Sequence, residues 1–450
     1  MPERTLSNYT LPLIRLALPL ALIGLAQSGV FFFETLFLAH LGCQMLAAGA
    51  LVSWLFGTIE AIIFGILTAV SVLVSHKFGA KNTVGISSVL RDGLFLALLF
   101  TLPAFLLFWN IAPIFLFFGQ DSTVVTLSQS YLRALAWSLL PNFCSVVLID
   151  FLVGLGKTRP IIVFTLIASP FTIFSSYLLI FGKLGLPALG IAGAGWGMTM
   201  SNWIEFILLA VFIFIKHRIY LTNFFDLNRS SFLSELLHVG LPMGFMYCVE
   251  VTFYFALTLL MGNIGYQTLA ANQIILQYLG ALITVIFAVA QAITIRIGHQ
   301  LGTNQAADIE KTNLFGMGIA VFFMLIVAIS YWFFPEKLIS IDLDIRDPNN
   351  SNVITLAKHF FAIAAVFQII EAARIALFGS LRGLRDTFFT LVVSIITFWG
   401  VALPIGYYAA IRLHYGGQGL WWAMVAAAIM GVIILIIRFQ YKIKRITTRP

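Results

Sequence analysis

The chain has 450 residues, of which 60% are hydrophobic and 10% charged, and a formal net charge of +8. Apolar blocks this long, recurring to the end of the chain, exclude a soluble globular domain and leave a polytopic membrane protein. The positive surplus then reads as basic loops beside anionic lipid headgroups, with no nucleic acid as partner. The three scattered cysteines, Cys43, Cys144 and Cys248, offer neither a disulfide framework nor a Cys-X-X-Cys metal spacing.

In chain order the leader MPERTLSNYTLPLIRL reads as a cytosolic approach to the first span, not as a signal peptide. Twelve hydrophobic segments follow: 13–41, 47–75, 88–117, 129–154, 158–183, 188–215, 235–262, 268–298, 311–334, 354–380, 385–411 and 416–440. About 20 residues cross a bilayer, so the longer segments imply tilt or kinks. Pro19, Pro103, Pro141, Pro170, Pro242 and Pro404 fall inside segments, and each frees a backbone carbonyl that neighbours must satisfy. With the N-terminus inside, five of the 26 lysines and arginines lie outside (Lys183, Lys337, Arg346, Lys358 and Arg412) and two lie within spans (Arg133 and Arg374). The other 19 lie inside, which places both termini in the cytosol of a cell with this protein in its cytoplasmic membrane.

The chain repeats itself. At an interval of 223 residues, Pro19 meets Pro242, Gly42 meets Gly265, Gly57 meets Gly280, His76 meets His299 and Gly79 meets Gly302. Later the interval drifts, with Gly193 and Gly195 aligning to Gly417 and Gly419. Two six-span halves of equal orientation imply pseudo-symmetry about the membrane normal, an arrangement typical of transporters. The expected fold is therefore all-α, with twelve transmembrane helices in two pseudo-symmetric six-helix lobes. The N-lobe is expected over 1–217, a polar cytosolic linker over 218–234, and the C-lobe with a basic tail over 235–450. The glycine-rich AGAGWG (Ala192–Gly197) follows no strand and opens a span, so it predicts close helix packing and not a nucleotide loop.

Five acids fall well inside spans: Glu34, Glu60, Glu205, Glu250 and Glu371. An ionised carboxylate at mid-membrane costs roughly 2.5–3.5 kcal/mol, so it faces a cavity or a partner. Glu250 stands in an otherwise uncharged run, Leu241–Gly262, with Tyr247, Phe253 and Tyr254 around it and Asn272, Gln273 and Gln277 on the next segment. Aromatics, amides and one acid suit a flat organic cation. Gln27 shares a helix face with Glu34 and aligns with Glu250 in the repeat. Arg374 lies three residues past Glu371, within salt-bridge reach on a helix. A carboxylate whose pKa is raised by burial and lowered by a cation exchanges a proton for another positive partner, which is the core of antiport. No nucleophile elbow, phosphate loop or metal-ligand spacing appears, so an enzyme is not expected.

The stretches LAQSGVFFFETLFLAHLG (25–42), GLGKTRP (154–160), GLPMGFMYCVEVTF (240–253), ITIRIGHQLG (293–302) and GSLRGLRDT (379–387) resemble the multidrug and toxic compound extrusion (MATE) transporters, in particular the NorM-like branch. The resemblance covers nearly the whole chain. It implies a V of two six-helix lobes and export of amphipathic cationic drugs or dyes in exchange for H⁺ or Na⁺, without a cofactor. It places the family's seventh-helix glutamate on Glu250, its tenth-helix acid on Glu371 and its first-helix acid on Glu34. Three positions depart from the pattern: Phe367 stands where many members have a tyrosine, and Thr172 and Ser176 stand where they have asparagines. Phe367 removes an oxygen from a Na⁺ site at Glu250 and Glu371, so H⁺ is favoured. A monomer is expected, in contact with membrane lipids. The alternative is a lipid or glycan-lipid flippase of related fold, which would need cavity arginines.

Overall fold

The computed structural model describes residues 7–221, 224 and 231–447, and among these residues there is no strand. Part of the expected linker (222, 223 and 225–230) and the extreme tail (448–450) lie outside the described residues. In hydrocarbon every backbone N–H and C=O must be satisfied within its own segment, and long runs of Leu, Ile, Phe and Ala achieve this as helices. The first half comprises α1 (Ser7–His40), α2 (Cys43–Leu67), α3 (Ala69–Gly79), α4 (Thr83–Trp109), α5 (Ala112–Phe117), α6 (Ser122–Ala136), α7 (Leu139–Gly154), α8 (Arg159–Phe181) and α9 (Ile191–Lys216). The second comprises α10 (Leu233–Ile264), α11 (Tyr266–Gly302), α12 (Ala307–Phe333), α13 (Pro335–Asp342), α14 (Ser351–Gly383), α15 (Thr387–Ser394), α16 (Leu403–Tyr407) and α17 (Gly416–Thr447).

Local chemistry sets the helix ends. Asn82 opens α4 by accepting from the Gly85 N–H at 2.7 Å, and Asp121 opens α6 by accepting from the N–H groups of Thr123 and Val124 at 2.9 and 3.2 Å. Gly182 closes α8 at φ 65, the left-handed turn that a side chain disfavours. Eleven helical spans among the described residues are long and apolar enough to cross a membrane. A twelfth is obtained if α6 and α7, bent by 50° at residues 137–138, form one span where 129–154 was expected. Along α4, Phe95, Leu98, Leu99, Leu102 and Leu106 stay exposed on one helical stripe, as a lipid-facing surface requires.

The final expected break, at Pro404, takes a specific form. Ile395–Ala402 and Tyr408–Arg412, on either side of α16, are wound as π-helix. A proline lacks the N–H that would close an α-turn, and widening the preceding turns relieves the lost contact.

The chain divides into two compact units, one formed by 22–244 and the other by 1–21 with 245–450. The two cuts fall inside α1 and α10, and they lie 223 residues apart (244 − 21), the interval of the sequence repeat. Each helix therefore starts in one unit and finishes in the other. In the unit holding the start of α1, the Tyr9 hydroxyl donates to Asp308 on α12 at 2.8 Å, and its ring stacks on Phe315. In the other unit the start of α10 is held by Asp92 on α4, which accepts from the Phe232 N–H at 2.6 Å and from Ser231 Oγ at 3.2 Å.

The repeat also appears in the packing. A Cβ on Gly93 would meet Val70 at 2.7 Å, and a Cβ on Gly316 would meet Ile293, so the same pair of positions packs in both units. The AGAGWG glycines pack closely, as expected. A Cβ on Gly195 would lie 2.8 Å from the Tyr131 carbonyl oxygen, and one on Gly197 would lie 2.6 Å from the Ser176 backbone nitrogen.

Candidate functional site

Three long helical segments bring buried charge together in the unit that contains 245–450. α10 carries Glu250, α14 carries Glu371 and Arg374 one turn apart, and the end of α15 with the π-wound stretch that follows it brings in Ser394 and Phe398. Arg374 is 1% exposed. Its Nε donates to Glu371 Oε2 at 2.7 Å and its Nη2 to Glu371 Oε1, a bidentate fork. The same Nη2 reaches Glu250 Oε1 at 3.1 Å, and Ser394 Oγ donates to that oxygen at 3.2 Å. The guanidinium also lies over the rings of Phe378 and Phe398, at 4.5 and 4.7 Å from their centroids. Two carboxylates thus share one cation in an apolar core. The cluster keeps one negative charge in surplus while both acids are ionised.

Three of the four carboxylate oxygens of the cluster accept from Arg374. Phe367, buried on α14, packs edge-on to Trp421 at 6.0 Å and supplies no oxygen.

The other unit holds Glu34 on α1, 4% exposed, with Ser176 Oγ of α8 donating to its Oε1 at 3.4 Å. Thr172, one turn earlier on α8, donates to Ser201 Oγ of α9 at 2.6 Å. Glu34 also lines a cavity of about 160 Å³ with Phe31, Ala50, Ser53, Trp54 and Tyr131. The pocket is lined by three aromatic rings and one carboxyl group, and none of its lining residues, which also include Thr35, Leu38, Leu46 and Gly49, is a lysine or arginine.

The family described as MatE matches residues 19–178 and 242–408, the two halves of the repeat. The chain belongs to the MatE family. It is similar to a probable multidrug resistance protein NorM of Synechocystis sp., 31% identical over 97% of this chain and 95% of that one. It is also similar to a probable multidrug resistance protein NorM of Brucella suis, 30% identical over 95% of this chain and 92% of that one. Its fold is that of a MATE transporter of Vibrio cholerae, VcmN in the bent form, with a TM-score of 0.88 at 17% identity and 98% of each chain covered. As a MatE protein it is an integral membrane transporter and not an enzyme.

Within this MatE fold the residues singled out from the sequence fall into groups. Glu250, Glu371 and Arg374 meet directly. Tyr254 and Phe253 stand beside them, with the Phe253 and Phe398 ring centroids 4.8 Å apart and those of Tyr254 and Phe398 6.3 Å apart. Asn272 is fully buried on α11, and neither side-chain polar atom finds a partner among the described residues. Tyr247 turns toward Phe287, at 6.0 Å, and Gln27, Gln273 and Gln277 are exposed. Glu34, Thr172 and Ser176 form the second group. Sequence reasoning missed Ser394, Phe398, Ser201 and Tyr131, whose types are ordinary in membrane helices. A helical spacing of four between Ser394 and Phe398 was the one signal available.

Of the two arginines inside the expected spans, Arg374 is held by two carboxylates. Arg133 donates to the Trp109 carbonyl at 3.4 Å and lies over that ring.

Proposed function

We propose that this protein is a multidrug exporter that exchanges amphipathic organic cations, drugs or dyes, for protons by alternating access. The observation that carries the reading is the buried Glu250–Arg374–Glu371 cluster, with two acids to one cation. Its surplus negative charge is neutralised most simply by a proton, because Arg374 already fills the place of a metal cation. The names of the NorM relatives support the drug substrates, and the aromatic walls of the Glu34 pocket supply ring faces for a flat cation.

In this mechanism the ionised acids attract the organic cation from the cytosol. Protonation from outside removes that attraction and releases it. A unit charge pair at ~4 Å and an effective dielectric near 20 is worth about 4 kcal/mol before desolvation. A hundredfold change in affinity needs only ~2.7 kcal/mol, so one protonation suffices. The protein would sit in the cytoplasmic membrane with both termini in the cytosol. It would work as a monomer among lipids.

Proteoliposomes separate the coupling ions. Dye efflux is expected under an imposed pH gradient and not under a Na⁺ gradient alone. Efflux driven by Na⁺ alone would overturn the proton assignment. A lipid or glycan-lipid flippase is the weaker reading, because both span arginines are already engaged by the protein itself. Lipid scrambling without dye efflux in the same vesicles would favour it.

A further inference from the structure

Helix α2 carries an acid that the exchange just described does not use. Glu60 is half-buried, and its Oε1 accepts from the Asn142 side chain on α7 at 3.1 Å. Among the described residues no salt bridge reaches it. A carboxylate kept at mid-span without a cation faces a wet path or a ligand in preference to lipid.

Its helix face leads to the Glu34 pocket. Ser53 and Trp54 are the α2 wall of that pocket. Positions 53, 57, 60 and 64 share one face of α2. Between them, at Gly57, a Cβ would meet nothing within 4 Å, so no side chain of α2 stands on that face between Ser53 and Glu60. Trp54, beside Ser53 on the pocket wall, and Phe64, one turn past the acid, are 63% and 44% exposed. Glu60 lies two turns beyond Ser53, ~10 Å along the axis. The repeat-related position is Ile283, so this second acid belongs to one half only.

We propose that Glu60 is a second cation-binding carboxylate of the export path, and that the Glu34–Glu60 pair selects amphipathic dications by the spacing of their charged nitrogens. The assignment rests on the exporter reading above. Glu34 meets one nitrogen and Glu60 the other, while Trp54 on the pocket wall contributes a ring face to the apolar spacer. Asn142 fixes one oxygen of Glu60 and leaves the second for the ligand. A monocation engages one acid only.

The test uses bis-trimethylammonium alkanes of increasing spacer length on the purified full-length protein. Binding is read by quenching of tryptophan fluorescence, and export of the monocation tetraphenylphosphonium is measured in proteoliposomes. The native protein is expected to bind one intermediate spacer length best, roughly tenfold or more tighter than a matched monocation. Glu60→Gln is expected to lose that optimum while tetraphenylphosphonium export stays within about threefold. Glu60→Ile, which installs the residue found at the repeat-related position, gives the same readout in a side chain suited to a membrane helix. Glu60→Asp is expected to keep the optimum. An unchanged optimum in Glu60→Gln and Glu60→Ile, or equal losses for monocation and dication, would overturn the assignment. A native protein that exports the monocation but shows no spacer optimum overturns it too, and leaves the exporter reading intact. A native protein that binds the series with the optimum but exports nothing removes the exporter reading instead.

Discussion

Arg374 decides how the acids behave. Without it, Glu250 and Glu371 would be two buried like charges. With it, each acid keeps a partner and one charge remains for exchange. Removing one member of a buried ion pair while leaving the other costs about 3–5 kcal/mol. Arg374→Met is therefore expected to destabilise the protein by that amount in detergent unfolding, and adding Glu371→Gln is expected to recover most of the loss. Glu250→Gln keeps the shape and can still accept from Ser394 and Arg374, so it is expected to insert and fold. It is also expected to abolish resistance to cationic dyes, because the exchangeable charge is gone. Unchanged dye efflux in that variant would remove Glu250 from the mechanism. These acids and Arg374 were legible because a charge in an apolar run has few innocent explanations. Ser394 and Phe398 were not, because a serine or a phenylalanine in a membrane helix is ordinary. Only the register between α14 and the junction of α15 with the π-wound stretch shows that both meet the guanidinium.

At the scale of the elements, hydrophobic run length carried most of the fold. Its gaps have identifiable causes. The run 129–154 is one block of hydropathy, yet α6 and α7 bend by 50° where Trp137 and Ser138 interrupt the helix. A serine that donates to the Leu135 carbonyl at 2.6 Å is invisible to hydropathy. The glycine run gives a sharper test. A Cβ at Gly197 meets the Ser176 backbone, whereas at Gly318 a Cβ meets nothing within 4 Å. Gly197→Ala is expected to cost ~1–3 kcal/mol by overpacking, and it would displace Ser176 from Glu34. Gly318→Ala is expected to be neutral or stabilising by up to about 1 kcal/mol. Detergent unfolding compares the two. The end of α9 supplies a pH test outside the spans. His217 is buried and accepts from Lys157 Nζ at 3.4 Å on Nδ1. Burial, and then the Lys157 charge, hold its pKa below the ordinary histidine value of 6.5. The folded state therefore binds fewer protons there than the unfolded chain. That stability is present above pH 6.5 and is lost as pH falls through and below it. Midpoints measured across pH 5–8 are expected to drop on the acid side, and His217→Phe is expected to flatten the drop.

For the whole molecule, the division into units follows the repeat and not the polar linker. Tyr9 ties the start of α1 to α12, and Asp92 ties the start of α10 to α4, each within its own unit. Loop polarity could not reveal this, because the cuts fall inside apolar helix. The repeat did contain a trace of it: Pro19 and Pro242 lie just before the two cuts, at residues 21 and 244. Each proline lacks an N–H, so one backbone carbonyl a turn earlier is left without its helical donor. Both prolines lie on the helices that pass from one unit to the other, and kinks concentrate at such points. If exchange moves the units as bodies, bending at these prolines must accompany every cycle. Replacing both prolines by alanine restores the two hydrogen bonds and stiffens both helices. The double variant Pro19→Ala/Pro242→Ala is expected to melt at or above the native temperature and to bind dye with affinity within about threefold. Its turnover in proteoliposomes is expected to fall by roughly tenfold or more, because the barrier is conformational and not one of binding. Native turnover in that variant would mean that the units exchange access without bending α1 and α10, and motion would then have to be sought in the π-wound stretches around Pro404.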